Sequence, residues 1–198
     1  MNHLAHIVLA GTDEGLRLGA FLGDHVKGQS ALADWPDAWA AGIRLHRRID
    51  VLSDAHPAVI ALRKRLDPPW RRYGGVILDV LFDHMLSRHW ADFGPQRLDR
   101  LADAIDALLA RHRHCLPPRL ALFSRWAAAQ RLWLRYGERA MLEEIFQRMA
   151  QRHGHPWPLA EGRRLLDELD GEIESAFLGL FPDLLAETAD WRDAAQSS

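Results

Sequence analysis

Apolar residues recur along almost the whole chain at the three- and four-residue spacing of amphipathic helices. The alternating Val, Ile and Thr runs that are typical of strands do not occur. Proline, glycine and capping residues divide the pattern into segments. The sequence predicts an all-α fold with helices near residues 2–9, 12–23, 34–55, 57–66, 70–93, 95–114, 119–136, 138–152 and from 159 onward. We expect Pro182 to kink or divide the last of these helices.

The length and composition are those of one globular domain. The chain has 198 residues, of which 48% are hydrophobic and 26% are charged, close to the average for soluble proteins. No internal repeat, low-complexity tract or long linker interrupts it. We predict one compact helical domain over residues 1–193, followed by a short polar tail at residues 194–198.

Charge and cysteine content exclude several classes of protein. The formal net charge of −2 provides no overall attraction to nucleic acid. No apolar run approaches the length of a membrane span, and no basic leader precedes the first apolar stretch. The single cysteine, Cys115, excludes an intrachain disulfide and a zinc site built on several thiolates. We expect a cytoplasmic protein that binds neither membrane nor nucleic acid, and the sequence does not indicate an oligomeric state.

The predicted third helix carries a candidate metal-binding pair. His46 and Asp50 stand four residues apart, so their side chains share one helical face at a spacing suited to two ligands of one cation. The neighbouring face is apolar and would hold the helix against the core. A solvated or salt-bridged face that involves Arg47 or Arg48 is the alternative.

Residues 76–86 place charged groups in a helix that is apolar nearly all round. Such a helix is expected to be buried, and it contains Asp79, Asp83 and His84. Burying carboxylates without a positive partner costs several kcal/mol per ion. A divalent cation would compensate the two aspartates, with His84 as a nitrogen ligand. A structural ion-pair network with nearby arginines is the alternative.

These residues together suggest metal-assisted hydrolysis of a phosphoester. A mixed histidine and carboxylate site suits Mn²⁺, Fe²⁺, Mg²⁺ or Zn²⁺, and such an ion activates water and polarises a phosphoryl oxygen. Arg47 and Arg48 would neutralise charge on the phosphoryl oxygens. The candidate metal ligands are His6, Asp24, His46, Asp83 and His84. The candidate catalytic residues are Asp50, Asp79 and His89.

A dense basic segment suggests a protein partner. Arg63, Lys64 and Arg65 are followed closely by Arg71 and Arg72, in a chain that is otherwise slightly acidic. A small acidic protein would be attracted to this segment, where Arg71 and Arg72 are candidate substrate-binding residues. A solvated basic face and binding to a phosphate backbone are the alternatives.

Three sequence blocks resemble a known family. They are Asn-His-Leu-Ala-His at residues 2–6, Gly-Ile-Arg-Leu-His-Arg-Arg-Ile-Asp-Val-Leu-Ser-Asp at residues 42–54, and the stretch from Asp79 to Trp90. Over residues 1 to about 92 the chain resembles the bacterial acyl carrier protein phosphodiesterases. The resemblance implies an all-helical, Mn²⁺-associated enzyme with a core like that of the HD phosphohydrolases. Its substrate would be holo acyl carrier protein, from whose serine it would cleave the 4'-phosphopantetheine arm.

The sequence departs from the HD pattern and leaves two other functions open. No His-Asp dipeptide occurs in the chain, and the adjacent pairs Asp24-His25 and Asp83-His84 have the opposite order. An HD-like nucleotide or small-molecule phosphohydrolase would act without a protein substrate. A non-catalytic module that binds acyl carrier protein would leave the arm in place.

Overall fold

The computed structural model describes residues 1–68, 70–154 and 158–196, and every regular element in these ranges is helical. The all-α prediction is confirmed. The helices are α1 (His3–Leu9), α2 (Glu14–Leu22), α3 (Asp37–Ala55), α4 (Pro57–Lys64), α5 (Trp70–Arg88), α6 (Trp90–Phe93), α7 (Leu98–Arg111), α8 (Pro118–Gln130), α9 (Leu132–Arg135), α10 (Arg139–His153) and α11 (Arg163–Gln196). None of the helices in these ranges is both long enough and apolar enough to cross a bilayer.

Some helix boundaries differ from the sequence prediction. Asp13, not Thr12, caps α2, and its side chain accepts the N–H of Leu16 at 2.8 Å. The segment predicted as one helix over 70–93 ends at Arg88, and a second short helix follows His89. Arg131 adopts a positive φ of 52° and separates α8 from α9. Neither break is marked by proline or glycine, so the pattern could not reveal it.

The last helix continues through Pro182, and the division predicted there is not observed. The backbone departs from helical geometry at Leu169 instead, where φ is −132° and ψ is 27°. Helix α11 extends to Gln196, so the predicted polar tail is helical up to that residue. Ser197 and Ser198 of that tail lie outside the described residues, as does Pro69 of the predicted break between α4 and α5.

One cluster of buried side chains connects the helices. It includes Ile7 of α1 and Ile49 of α3 together with Phe82 of α5, Phe146 of α10 and Phe177 of α11. The helices that carry the candidate site therefore rest on the same core as the C-terminal helices.

Helices α2 and α3 approach each other so closely that only glycine fits between them. A Cβ added at Gly19 would lie 2.0 Å from the carbonyl oxygen of Trp39 and 2.7 Å from the Cα of Gly42. At the end of α2, a Cβ added at Gly23 would lie 2.1 Å from Cγ of His46. The glycines thus allow the His46 imidazole to pack directly against the α2 backbone.

Helix α1 begins against a carboxylate of α5. The Asp83 side chain is buried, and its oxygens accept the backbone N–H groups of Leu4 at 2.8 Å, Ala5 at 3.1 Å and Asn2 at 3.3 Å. These include N–H groups that the first turn of a helix leaves without a partner. Burial raises the pKa of Asp83 to about 7, and the N–H groups of Leu4 and Ala5 oppose part of that rise. The main chain therefore compensates the buried Asp83 carboxylate in part.

The substitution Gly19→Ala should lower the free energy of unfolding by about 1–3 kcal/mol, because the new methyl group forces α2 and α3 apart. Urea denaturation measures the change. Gly171→Ala is the control, because that helical glycine is exposed and its added Cβ would meet nothing within 4 Å. The control should be neutral or stabilising by about 0.5–1 kcal/mol. Equal effects of the two substitutions would contradict the close packing.

The substitution Asp83→Asn should destabilise the protein by about 1–3 kcal/mol even in chelator, because an amide nitrogen would face backbone N–H donors. Urea denaturation with and without divalent cation measures this. Asp103→Asn, at an exposed position of α7, should change stability by less than about 0.5 kcal/mol. Unchanged stability of Asp83→Asn together with weakened cation binding would instead make Asp83 the metal ligand that the sequence suggested.

Candidate metal centre

Two histidines and an aspartate from α1 and α3 converge on one point. One ligand atom from each of His6, His46 and Asp50 lies within 4.8 Å of the others. The two carboxylate oxygens of Asp50 each lie 3.2 Å from an imidazole Nε2, one from that of His6 and the other from that of His46. Both imidazoles are buried, whereas the Asp50 side chain is 41% exposed. The group is therefore open on its carboxylate side.

The imidazole of His46 is oriented by the main chain. Its Nδ1 lies 2.7 Å from the carbonyl oxygen of Ala20, to which it donates a hydrogen bond, and this leaves Nε2 to serve as a ligand. The Nε2 atom is buried without a hydrogen-bond partner among the described residues, although buried polar atoms normally have one. The ring stacks on that of His6 at 3.8 Å between centroids. A cation beside Nε2 and Asp50 would satisfy this nitrogen.

Asp24 adds a second carboxylate from the short turn Gly23–His25. Its Oδ1 lies 3.5 Å from Nε2 of His46, and its side chain is 64% exposed. Burial lowers the pKa of His46, but the carboxylates of Asp24 and Asp50 outweigh this effect and hold it at about 9. Interaction with His46 in turn lowers the pKa of Asp24. The cation-free cluster thus balances its carboxylates with a proton on His46.

The donor set fits a divalent transition metal. Two imidazoles and two carboxylates combine nitrogen and oxygen ligands, as Mn²⁺, Fe²⁺ and Zn²⁺ sites commonly do. Burial and the nearby charge of His46 lower the pKa of His6 to about 4, which keeps this imidazole neutral near pH 7. A neutral imidazole is the form that binds metal. His6 is therefore ready to ligate, and His46 becomes so when it loses its proton.

Asp79 lies at the edge of this cluster and has a different positive partner. Its Oδ1 accepts a hydrogen bond from the Met1 ammonium group at 2.7 Å. Burial raises the pKa of Asp79, and the ammonium group opposes the rise. The charge of this carboxylate is therefore balanced without a metal ion.

Three other predicted site residues, Asp83, His84 and His89, have partners elsewhere. Asp83 caps α1, and the Nδ1 of His84 donates to the carbonyl oxygen of Tyr136 at 2.9 Å. The Nε2 of His89 lies 2.6 Å from Glu174. The structure therefore brings together His6, Asp24 and His46 with Asp50. It does not bring Asp83 or His84 to these ligands, and it holds His89 against α11.

Arg47 and Arg48 are occupied by structural contacts. Arg47 donates to the carbonyl oxygens of Val26 and Gly28 at 2.8 and 3.0 Å, which ties down the loop after α2. Arg48 forms an ion pair of 3.0 Å with Glu187 of α11. Neither guanidinium lines the cavity beside the cluster, so the geometry gives no support to their predicted role in binding phosphate.

The basic segment around α4 and α5 is largely paired within the protein. Arg63 lies 2.7 Å from Asp54, and Arg65 lies 3.0 Å from Glu172. Arg71 donates to the carbonyl oxygen of Leu66 at 3.2 Å, and the guanidinium of Arg72 lies 5.7 Å from the ring of Tyr73. Arg71 and Arg72 do not line the cavity either.

A cavity of about 360 Å³ opens beside the cluster, a volume typical of small-molecule sites. Its lining includes Asp24, Asp79, Trp126, Arg148 and Arg152. The sequence analysis missed both arginines. Arginines four residues apart are also common on ordinary solvated helix faces, so their spacing alone does not mark them as functional.

Comparison with known proteins identifies relatives over nearly the full length. The family model described as acyl carrier protein phosphodiesterase matches residues 1–184. A protein of that name from Serratia proteamaculans (strain 568) is 31% identical over 191 residues, which cover 96% of this chain and 98% of that protein. One from Yersinia pestis is 32% identical over 94% of this chain and 97% of its own.

No solved structure matches the chain, so a core like that of the HD phosphohydrolases stays a prediction. Membership of a sequence family depends on the extent of the match, which here includes every residue of the His and Asp cluster. The chain belongs to the acyl carrier protein phosphodiesterase family.

Proposed function

We propose that this protein is a metal-dependent phosphodiesterase that acts on holo acyl carrier protein. The reaction adds water to the phosphorus of the 4'-phosphopantetheine group and breaks the bond between phosphorus and the serine oxygen. The serine oxygen takes up a proton, and the products are apo acyl carrier protein and 4'-phosphopantetheine. The alternatives are hydrolysis of a free nucleotide or small phosphoester, and binding of the carrier protein without catalysis.

The observation that carries the proposal is the convergence of His6, His46, Asp50 and Asp24 beside an open cavity. The names of the relatives supply the substrate. In the cation-free protein the two carboxylates hold a proton on His46, and a divalent cation in that position would supply the positive charge instead. The exposed side of the cluster faces solvent through Asp24 and Asp50, so a ligand held there can also contact substrate.

A divalent cation bound by these four residues would supply an activated water and neutralise charge on a phosphoryl oxygen. His6 and His46 would hold it from the buried side, with His46 kept in orientation by the carbonyl oxygen of Ala20. Asp50 and Asp24 would hold it from the exposed side. Asp50, predicted as catalytic, thus takes the role of a ligand in this proposal.

Asp79 is proposed as the residue that receives the proton of the attacking water. It lines the cavity and lies outside the ligand cluster. Burial raises its pKa, which makes the carboxylate a stronger base than an ordinary aspartate. The contact with the Met1 ammonium holds one carboxylate oxygen in place.

We propose Mn²⁺ as the cofactor, with Fe²⁺, Mg²⁺ and Zn²⁺ to be compared with it. Mass spectrometry of holo acyl carrier protein should show loss of the 4'-phosphopantetheine mass with Mn²⁺ and no loss with chelator. An unchanged mass with every cation would contradict the proposed reaction. Complex formation without loss of the arm would then indicate a binding module, and turnover of a free nucleotide would indicate a small-molecule phosphohydrolase.

The substitutions His46→Gln and Asp50→Asn should each lower the rate of arm removal by more than about 100-fold, because each deletes a direct ligand. The initial rate is measured by mass spectrometry, and cation affinity by titration calorimetry. His114→Gln and Asp103→Asn are the matched controls, because both positions are exposed and outside the cluster. Full activity of either cluster variant would contradict the assigned ligands.

Cation binding should release a proton below about pH 9, because the cation-free protein keeps His46 protonated with a pKa of about 9. Since imidazole ligates only when neutral, the apparent affinity should rise by up to about tenfold per pH unit between about pH 6 and 8. Titration calorimetry in two buffers that differ in ionisation enthalpy measures the released proton. An affinity that does not change with pH over this range would contradict the proposal that His46 loses a proton and then ligates the cation.

A further inference from the structure

Two arginines of α10 line the cavity without an acidic partner. Arg148 and Arg152 stand one helical turn apart, and both contribute to the cavity lining. Their side chains are exposed, and neither forms an ion pair with a carboxylate in the described part of the chain. Many other arginines do form one, among them Arg63, Arg88 and Arg163. Within residues 1–68, 70–154 and 158–196, these two guanidinium charges are therefore not paired with a carboxylate.

The two arginines belong to a larger group of positive charges. The Arg148 guanidinium lies 4.4 Å from the centre of the Trp126 ring, which fixes its position at the cavity wall. Burial lowers the pKa of Arg152, and the charges of Arg148 and Arg119 lower it further. Arg119 is therefore close enough to Arg152 to add to the positive charge near the cavity wall.

We infer that the surface around Arg148 and Arg152, which line the cavity, is where the carrier protein docks through an acidic surface of its own. This inference rests on the proposed function and names the part of the protein that recognises the partner. It replaces the basic segment around Arg63 and Arg71, where Arg63 and Arg65 are ion-paired and none of the arginines lines the cavity.

The placement of the group favours a protein partner over a small anion. Arg148 and Arg152 lie on α10 and Arg119 lies at the start of α8, and all three side chains are exposed. Exposed charges spread over more than one element attract a large charged surface and speed its association. A small anion would be bound more strongly by buried donors that converge on it.

The same cavity connects this surface with the candidate metal centre. Asp24 and Asp79 line the cavity together with Arg148 and Arg152, and Asp24 lies 3.5 Å from His46. A carrier protein that contacts the arginines would have its phosphodiester next to the proposed cation ligands. The residues that dock the carrier protein and residues that act in the reaction would then line the same cavity.

The test measures binding separately from catalysis. Labelled apo carrier protein, which has no arm to cleave, is titrated by fluorescence anisotropy with the full-length protein in chelator. The double substitution Arg148→Glu with Arg152→Glu should weaken binding at least about tenfold, because like charges then face each other. With holo carrier protein and Mn²⁺, the same variant should raise KM and leave kcat nearly unchanged. Added salt should weaken binding by the wild type more than by the variant.

Lys64→Glu with Arg100→Glu is the matched control, because it changes the net charge equally at exposed positions outside the cavity lining. Circular dichroism checks that both variants are folded. Equal weakening by the control, or weakening only by Arg71→Glu with Arg72→Glu, would overturn the proposed docking surface. Single-stranded RNA that binds as tightly as the carrier protein at this surface would also overturn it. If the wild type neither binds nor cleaves carrier protein, the proposed function itself fails.

Discussion

The close approach of α2 and α3 is the constraint on which the candidate site depends. Because Gly19 and Gly42 carry no side chains, the two backbones come near enough for the imidazole of His46 to reach the carbonyl oxygen of Ala20. Gly23 leaves room for the ring at the end of α2. This contact fixes which nitrogen of His46 faces Asp50 and Asp24, and therefore which face of α3 can bind a cation.

Buried and half-buried charges have two kinds of partner in this protein. Around α1 and α5, Asp83 accepts main-chain N–H groups and Asp79 accepts the Met1 ammonium, yet burial still raises the pKa of both carboxyl groups. In the cluster of His6, His46 and Asp50 the partner is a proton, which His46 keeps because Asp24 and Asp50 raise its pKa. The main-chain contacts belong to the fold, whereas the proton can leave, and a cation can take its position.

The sequence was sufficient for the fold class and for part of the site. Helical periodicity predicted the all-α architecture, and the four-residue spacing of His46 and Asp50 correctly indicated a shared face. The argument that Asp83 needs compensation was also sound, but its partners are N–H groups about 80 positions away in the chain, which no local pattern reveals. For the same reason the contacts of Arg47 with Val26 and Gly28 could not be foreseen.

The proposed cation ligands and the proposed docking residues lie in different parts of the sequence. All four proposed cation ligands lie between residues 6 and 50, whereas the two exposed arginines of the cavity lining belong to α10. If α10 recognises the partner as proposed, substitutions there alter which partner is accepted without touching the ligands. A protein built in this way can change its substrate during evolution while it keeps the same hydrolytic reaction.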